Sequence, residues 1–189
     1  ISDGQASLAV VDVDNGRLLR RRRFPELGEI LNPSWSPDGR LVAFSATKGG
    51  FSDLFVYDLD RDTLRQITSD AFADLHPAWS PDGGRIAFAT DRFSTDLSLL
   101  KAGRYGLAIV DAATGRIEAV PTFDRGKSIN PQWAPDGRHV VFLSDRTGLT
   151  NVYVVEVTSD RLTQLTDLNT GASGITPLSP ALSTSIDAR

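Results

Sequence analysis

Apolar residues along this chain come in short runs that repeat in a fixed order. One set, Leu41–Ser45, Ile86–Thr90 and Val140–Ser144, is apolar at almost every position. Runs of this length without polar alternation predict strands covered on both faces. A second set, Leu54–Leu59, Leu107–Ala112 and Val152–Val157, follows each of these and has the same character. A third set, Leu64–Thr68, Ile117–Val120 and Leu162–Thr166, mixes in polar residues and predicts exposed outer strands. Ahead of each trio stands a short segment ending in Trp, closed by a Pro-Asp-Gly turn. Proline presets φ there, and glycine takes the positive φ that a tight hairpin needs. The pattern therefore predicts antiparallel units of four strands.

The units are copies of one another. Asn32-Pro33-Ser34-Trp35-Ser36-Pro37-Asp38-Gly39-Arg40 recurs as His76-Pro77-Ala78-Trp79-Ser80-Pro81-Asp82-Gly83 and as Asn130-Pro131-Gln132-Trp133-Ala134-Pro135-Asp136-Gly137-Arg138. A degraded copy, Ser185-Ile186-Asp187-Ala188-Arg189, ends the chain, so the motif Asp falls at intervals of 44, 54 and 51 residues. A period near 40–50 with strand-like content belongs to propellers. Residues 32–68 align with 130–166 without a gap, and the middle unit carries an insertion within Phe93–Gly106. The predicted fold class is all-β, a β-propeller of four-stranded antiparallel blades. Complete blades span about 30–68, 74–121 and 128–166. A partial blade occupies 1–24, where Leu8–Val13 matches a third strand, and the next blade starts within 175–189. An open arc exposes apolar blade faces, so self-association is expected, with this chain as one segment of a larger ring.

These motifs carry a family resemblance. The Trp-Ser-Pro-Asp-Gly turns, with Phe88-Ala89-Thr90-Asp91-Arg92 and Phe142-Leu143-Ser144-Asp145-Arg146, resemble the WD40-like repeat of TolB-type propellers. The first blade departs from it, having Ala46-Thr47-Lys48 where the others have Asp-Arg. The resemblance implies a six- to eight-bladed ring, an extracytoplasmic location in bacteria, and a non-catalytic protein-binding role. It also allows a second role, as the propeller portion of a larger peptidase that positions or filters substrate.

Composition narrows the chemistry. The 189 residues hold 24 acidic against 20 basic side chains, a net charge of −4, which gives no general attraction to nucleic acid. No apolar run is long enough to cross a bilayer, so membrane insertion is not expected. Cysteine is absent and only His76 and His139 are present, which excludes thiolate chemistry and histidine-rich zinc sites. No nucleophile elbow is found; Gly171-Ala172-Ser173-Gly174 has the wrong spacing. No catalytic residue, cofactor or metal is therefore assigned.

Candidate sites follow from position. Asn32, His76 and Asn130 occupy equivalent places near the entrance of the central channel, where amide and imidazole groups could bind a peptide or an ion. The competing reading is that each caps a connecting turn ahead of proline. Leu97, Leu99 and Leu100, with Tyr105, make the insertion a candidate partner contact. Trp35, Trp79 and Trp133 with Gly39, Gly83 and Gly137 are read as structural. Asp38, Asp82 and Asp136 read first as turn stabilisers and second as calcium ligands. The Asp91–Arg92 and Asp145–Arg146 pairs are expected to tie one blade to its neighbour, and His139 to be packed inside a strand. Arg20–Arg23 reads as a solvated outer strand that discourages edge pairing.

Overall fold

The computed structural model describes residues 6–172 and 182–184. Its first two strands, β1 (Ser7–Val11) and β2 (Leu18–Arg23), pair as an antiparallel hairpin. Three four-stranded meanders follow. The first is β3 (Ile30–Trp35), β4 (Leu41–Lys48), β5 (Phe51–Asp58) and β6 (Thr63–Gln66). The second is β7 (Asp74–Trp79), β8 (Arg85–Thr90), β9 (Gly106–Asp111) and β10 (Ile117–Val120). The third is β11 (Ser128–Trp133), β12 (His139–Ser144), β13 (Asn151–Glu156) and β14 (Arg161–Gln164). Spatial order equals chain order in every sheet, and no helix occurs among the described residues. The expected blades at about 30–68, 74–121 and 128–166 enclose these sheets. Within the expected 1–24 and 175–189 segments, residues 1–5, 175–181 and 185–189 lie outside the described residues.

Both faces of the middle strands are apolar, and the first two sheets are covered on both. Val42, Phe44, Phe55 and Tyr57 face back onto Phe24, Leu27 and Leu8. Ala43, Leu54 and Val56 face forward onto Ile86, Phe88, Ala108 and Val110 of the second sheet. Ala87, Ala89, Leu107 and Ile109 in turn meet Val140, Phe142, Tyr153 and Val155 of the third. In the first two sheets the second strand turns large side chains backward and alanines forward, so rings enter the space that the small residues leave. Phe44 stacks on Phe55 at 6.0 Å, and Phe142 on Tyr153 at 5.9 Å. Burying one such ring contributes about 1.5–3 kcal/mol, and the clusters together outweigh the modest stability of any single sheet.

Three details differ from the sequence reading. Strand β4 runs on through Ala46-Thr47-Lys48, because Gly49 and Gly50 (φ 61° and 92°) form the two-residue turn that lets β4 and β5 pair to their ends. The outer strands β6 and β14 stop at Gln66 and Gln164, short of Thr68 and Thr166. The hydroxyls of those threonines accept the N–H groups of Leu54 and Val152 at 2.9 Å, replacing a ladder bond with a side-chain one. The three tryptophans share a place in their sheets but not an environment: Trp79 and Trp133 are 7% and 4% exposed, whereas Trp35 is 49% exposed. A four-stranded sheet covers the first two, while Trp35 faces the narrower β1–β2 hairpin.

Phe88→Ala, at the contact between two sheets, is expected to lower unfolding free energy by about 3–5 kcal/mol in denaturant titrations. Phe51→Ala, at an exposed strand start, should cost less than about 1 kcal/mol.

Candidate functional site

The innermost strands β3, β7 and β11 lie side by side along the axis of the arc. Each carries the same irregularity: pairing slips between Leu31 and Ser34, between Leu75 and Ala78, and between Ile129 and Gln132. Proline at 33, 77 and 131 has no N–H to give to the ladder, so the strand bulges there. The residue before it adopts a left-handed backbone, with φ 52° at Asn32, 54° at His76 and 52° at Asn130. Asparagine and histidine tolerate that region better than most residues. The three therefore sit inside strands, at bulges, rather than capping connecting turns.

The bulges bring Asn32, His76 and Asn130 together around a chamber of about 130 Å³, completed by Gln132, Leu182 and Ser183. Asn130 is fully buried, and neither its amide nitrogen nor its oxygen has a partner. The Nδ1 of His76 is likewise buried and unpartnered, and burial pushes this imidazole down to about 4, so it is neutral at pH 7. The chamber thus offers uncharged donors and acceptors. Further along the same strands, Trp35, Trp79 and Trp133 with Pro37, Pro81 and Pro135 line a groove of about 360 Å³. Thr184 closes it by donating to the Trp133 carbonyl at 2.8 Å.

The turn aspartates are engaged locally. Arg40, Gly84 and Arg138 donate backbone N–H bonds to Asp38, Asp82 and Asp136 at 3.1, 3.0 and 2.9 Å. Ser36 and Ser80 add hydroxyl bonds to the first two at 2.6 and 2.5 Å, which hold both carboxyls below the usual range. In the third copy Ala134 has no hydroxyl, and His139 replaces it, its Nδ1 lying 2.6 Å from Asp136. His139 thus heads strand β12 as expected, but its side chain is 36% exposed and serves the turn rather than packing in the core. The backbone N–H of Arg138 and this imidazole hold Asp136 down to about 2.

The Asp-Arg endings also act differently from expectation, because aspartate and arginine do not pair with each other. Asp91 accepts the N–H of Ala73 at 2.9 Å, and Asp145 that of Lys127 at 2.8 Å. Both amides lie on the connection entering the same sheet. In the first sheet Thr47 takes this role, accepting Glu29 N–H at 2.9 Å. Arg92 instead pairs with Asp70 at 3.1 Å and Asp74 at 2.7 Å, while Arg146 lies 4.0 Å over the Phe123 ring. Asp53, Asp70 and Asp74 form the one carboxylate group with metal-like spacing among the described residues, but the Arg92 guanidinium already supplies its cation. Burial raises Asp53 and Asp74.

Sequence reasoning missed Arg85. It stacks 4.5 Å over Trp133 and donates to the Gly137 carbonyl at 3.1 Å, joining the second sheet to the third. Its counterparts are Leu41 and His139, so no repeat signal marked it. In the arginine run, Arg22 pairs with Asp62 at 3.3 Å and Arg20 donates to the Leu59 carbonyl. The insertion divides in two: Leu97, Leu99 and Leu100 are 48%, 73% and 92% exposed, whereas Tyr105 packs against the core between the second and third sheets.

Comparison with known proteins matches residues 2–96 to the TolB beta propeller domain. The chain is 35% identical over 148 residues to the Tol-Pal system protein TolB of Bordetella pertussis, covering 77% of this chain and 31% of that protein. It is 31% identical over 147 residues to dipeptidyl-peptidase 5 of Porphyromonas gingivalis, covering 70% of this chain and 20% of the peptidase. The chain thus spans less than a third of either relative. The crystal structure of TolB from Acinetobacter baumannii superposes with a TM-score of 0.70 at 24% identity, over 87% of this chain and 38% of that one.

The buried His76 generates a pH dependence. Its folded value lies below the unfolded one near 6.5, so between these values only the unfolded state gains the proton. Stability should be complete above about pH 6.5 and fall toward about pH 4, by at most roughly 1.4 kcal/mol per pH unit. His76→Asn keeps a residue suited to the left-handed backbone and should flatten that window in urea titrations at several pH values.

Proposed function

Because this chain belongs to the TolB beta propeller domain family, we propose that it is a non-catalytic, extracytoplasmic protein-binding module that engages its partner at the axial chamber. The observation that carries this reading is the convergence of Asn32, His76 and Asn130 on one chamber, in which buried polar atoms of His76 and Asn130 have no partner. A buried amide without a partner costs about 1–3 kcal/mol, and a peptide segment entering the chamber would recover it. Asparagine offers both a donor and an acceptor, the complement of a peptide group. The relatives' name ties them to a Tol-Pal system, which makes the Pal protein of the same organism the first partner to test.

The identity to a dipeptidyl-peptidase favours a second reading, in which the chain is the propeller portion of a larger peptidase and the chamber positions substrate. Dipeptide release from unblocked p-nitroanilide substrates by the intact protein would select that reading.

In calorimetry of the intact protein with Pal, Asn130→Ala and His76→Ala should each weaken binding at least about tenfold, the loss expected of buried contacts at an interface centre. Near-ultraviolet circular dichroism should stay unchanged. Affinity that ignores both substitutions would remove the axial chamber as the binding site.

A further inference from the structure

The insertion of the second sheet has a construction that neither the fold nor the axial chamber uses. Its base is stapled. Thr95 donates its hydroxyl to Asp91 at 2.6 Å and accepts Gly103 N–H at 2.9 Å, while Ser94 donates to the Arg104 carbonyl at 2.7 Å. Gly103 presses so closely on the Ser94–Thr95 backbone that a Cβ there would lie 2.3 Å from the Ser94 carbonyl carbon. On this pedestal stands a hairpin whose ends, Asp96 and Lys101, exchange backbone bonds at 2.9 and 3.0 Å. The Asp96 carboxylate fixes the tip by accepting from Ser98 and Leu99. Leu100 occupies a left-handed position (φ 53°) where glycine or asparagine would be unstrained. A rigid support that holds three leucines in solvent, one of them against its backbone preference, marks a surface meant to be covered.

The adjoining surface indicates what covers it. Between the pedestal and the connection after β10 lies a pocket of about 300 Å³, lined by Phe93, Leu107, Val120 and Phe123. Arg104 and Asp124 stand at this pocket. Lys101, Arg104 and Asp124 form no ion pair among the described residues. An apolar knob with Lys101 at its base thus stands beside an apolar hole with Arg104 and Asp124 at it. Such a patch is self-complementary, as a two-fold contact needs, since the same surface must supply both halves.

We propose that the leucine hairpin and the pocket at its base form a self-complementary surface on which a second copy of this chain docks about a two-fold axis. Each hairpin enters the other copy's pocket, and Lys101 of one copy meets Asp124 of the other. The inference does not depend on the axial chamber.

Sedimentation equilibrium of the intact protein across a wide concentration series tests it. A reversible dimer is expected, with Leu99→Asp raising its dissociation constant at least about tenfold. Leu100→Gly relieves backbone strain, so it should leave the unfolding midpoint unchanged or higher while still weakening the dimer. Lys101→Glu and Asp124→Lys should each weaken association, and the double reversal should restore it. A monomer at every concentration, or a dimer indifferent to the leucines, would overturn the proposal. So would a double reversal no better than the single ones, or leucine-dependent binding to phosphatidylglycerol vesicles without dimer formation.

Discussion

Every middle strand of this protein is apolar on both faces, and that sets the architecture. A sheet with two apolar faces is stabilised by cover on both, and the first two sheets are each sandwiched between neighbours. The Val42, Phe44, Phe55 and Tyr57 face needs Phe24 and the hairpin behind it, and the Ala43, Leu54 and Val56 face needs Ile86 and Phe88 ahead. Repetition of that requirement turns sheets into a radial series and gathers the first strands at the axis. The Asn32, His76 and Asn130 chamber is a by-product of this convergence, and its chemistry comes from the proline that follows each of them.

Charged residues mostly serve the connections. The aspartates of the Pro-Asp-Gly turns and of the Asp-Arg endings bind backbone N–H groups that the ladders leave over. Backbone donors need partners, and the turns and connections are where the ladder provides none. Arg92, set among Asp70, Asp74, Phe72 and Phe88, gives the second sheet a further anchor that the first lacks.

Repetition made the fold legible before any coordinates. Strand order, turn position and the role of Asp38, Asp82 and Asp136 all follow from residues that recur at matching places. What escaped was whatever occurs once. Arg85 bridges to Trp133 in a position held elsewhere by leucine and histidine, and His139 reaches back to the turn Asp136, where Ala134 has no hydroxyl to offer. The exposure of Trp35 depends on its neighbour in space, which the motif around it does not encode. In the candidate site, the equivalence of Asn32, His76 and Asn130 was visible, but their left-handed backbone and shared chamber required the bulge. Tyr105 was grouped with the leucines by proximity in the chain, while the structure sends it to the core.

The bonds from Glu29, Ala73 and Lys127 to Thr47, Asp91 and Asp145 each span 18 residues, whichever side chain accepts them. What duplication has preserved is the satisfaction of one amide, and the acceptor has been free to drift between carboxylate and hydroxyl. Homology searches that score the Asp-Arg letters will therefore under-count the blades of diverged relatives. A pattern that asks only for a short oxygen-bearing side chain at that separation would recover them.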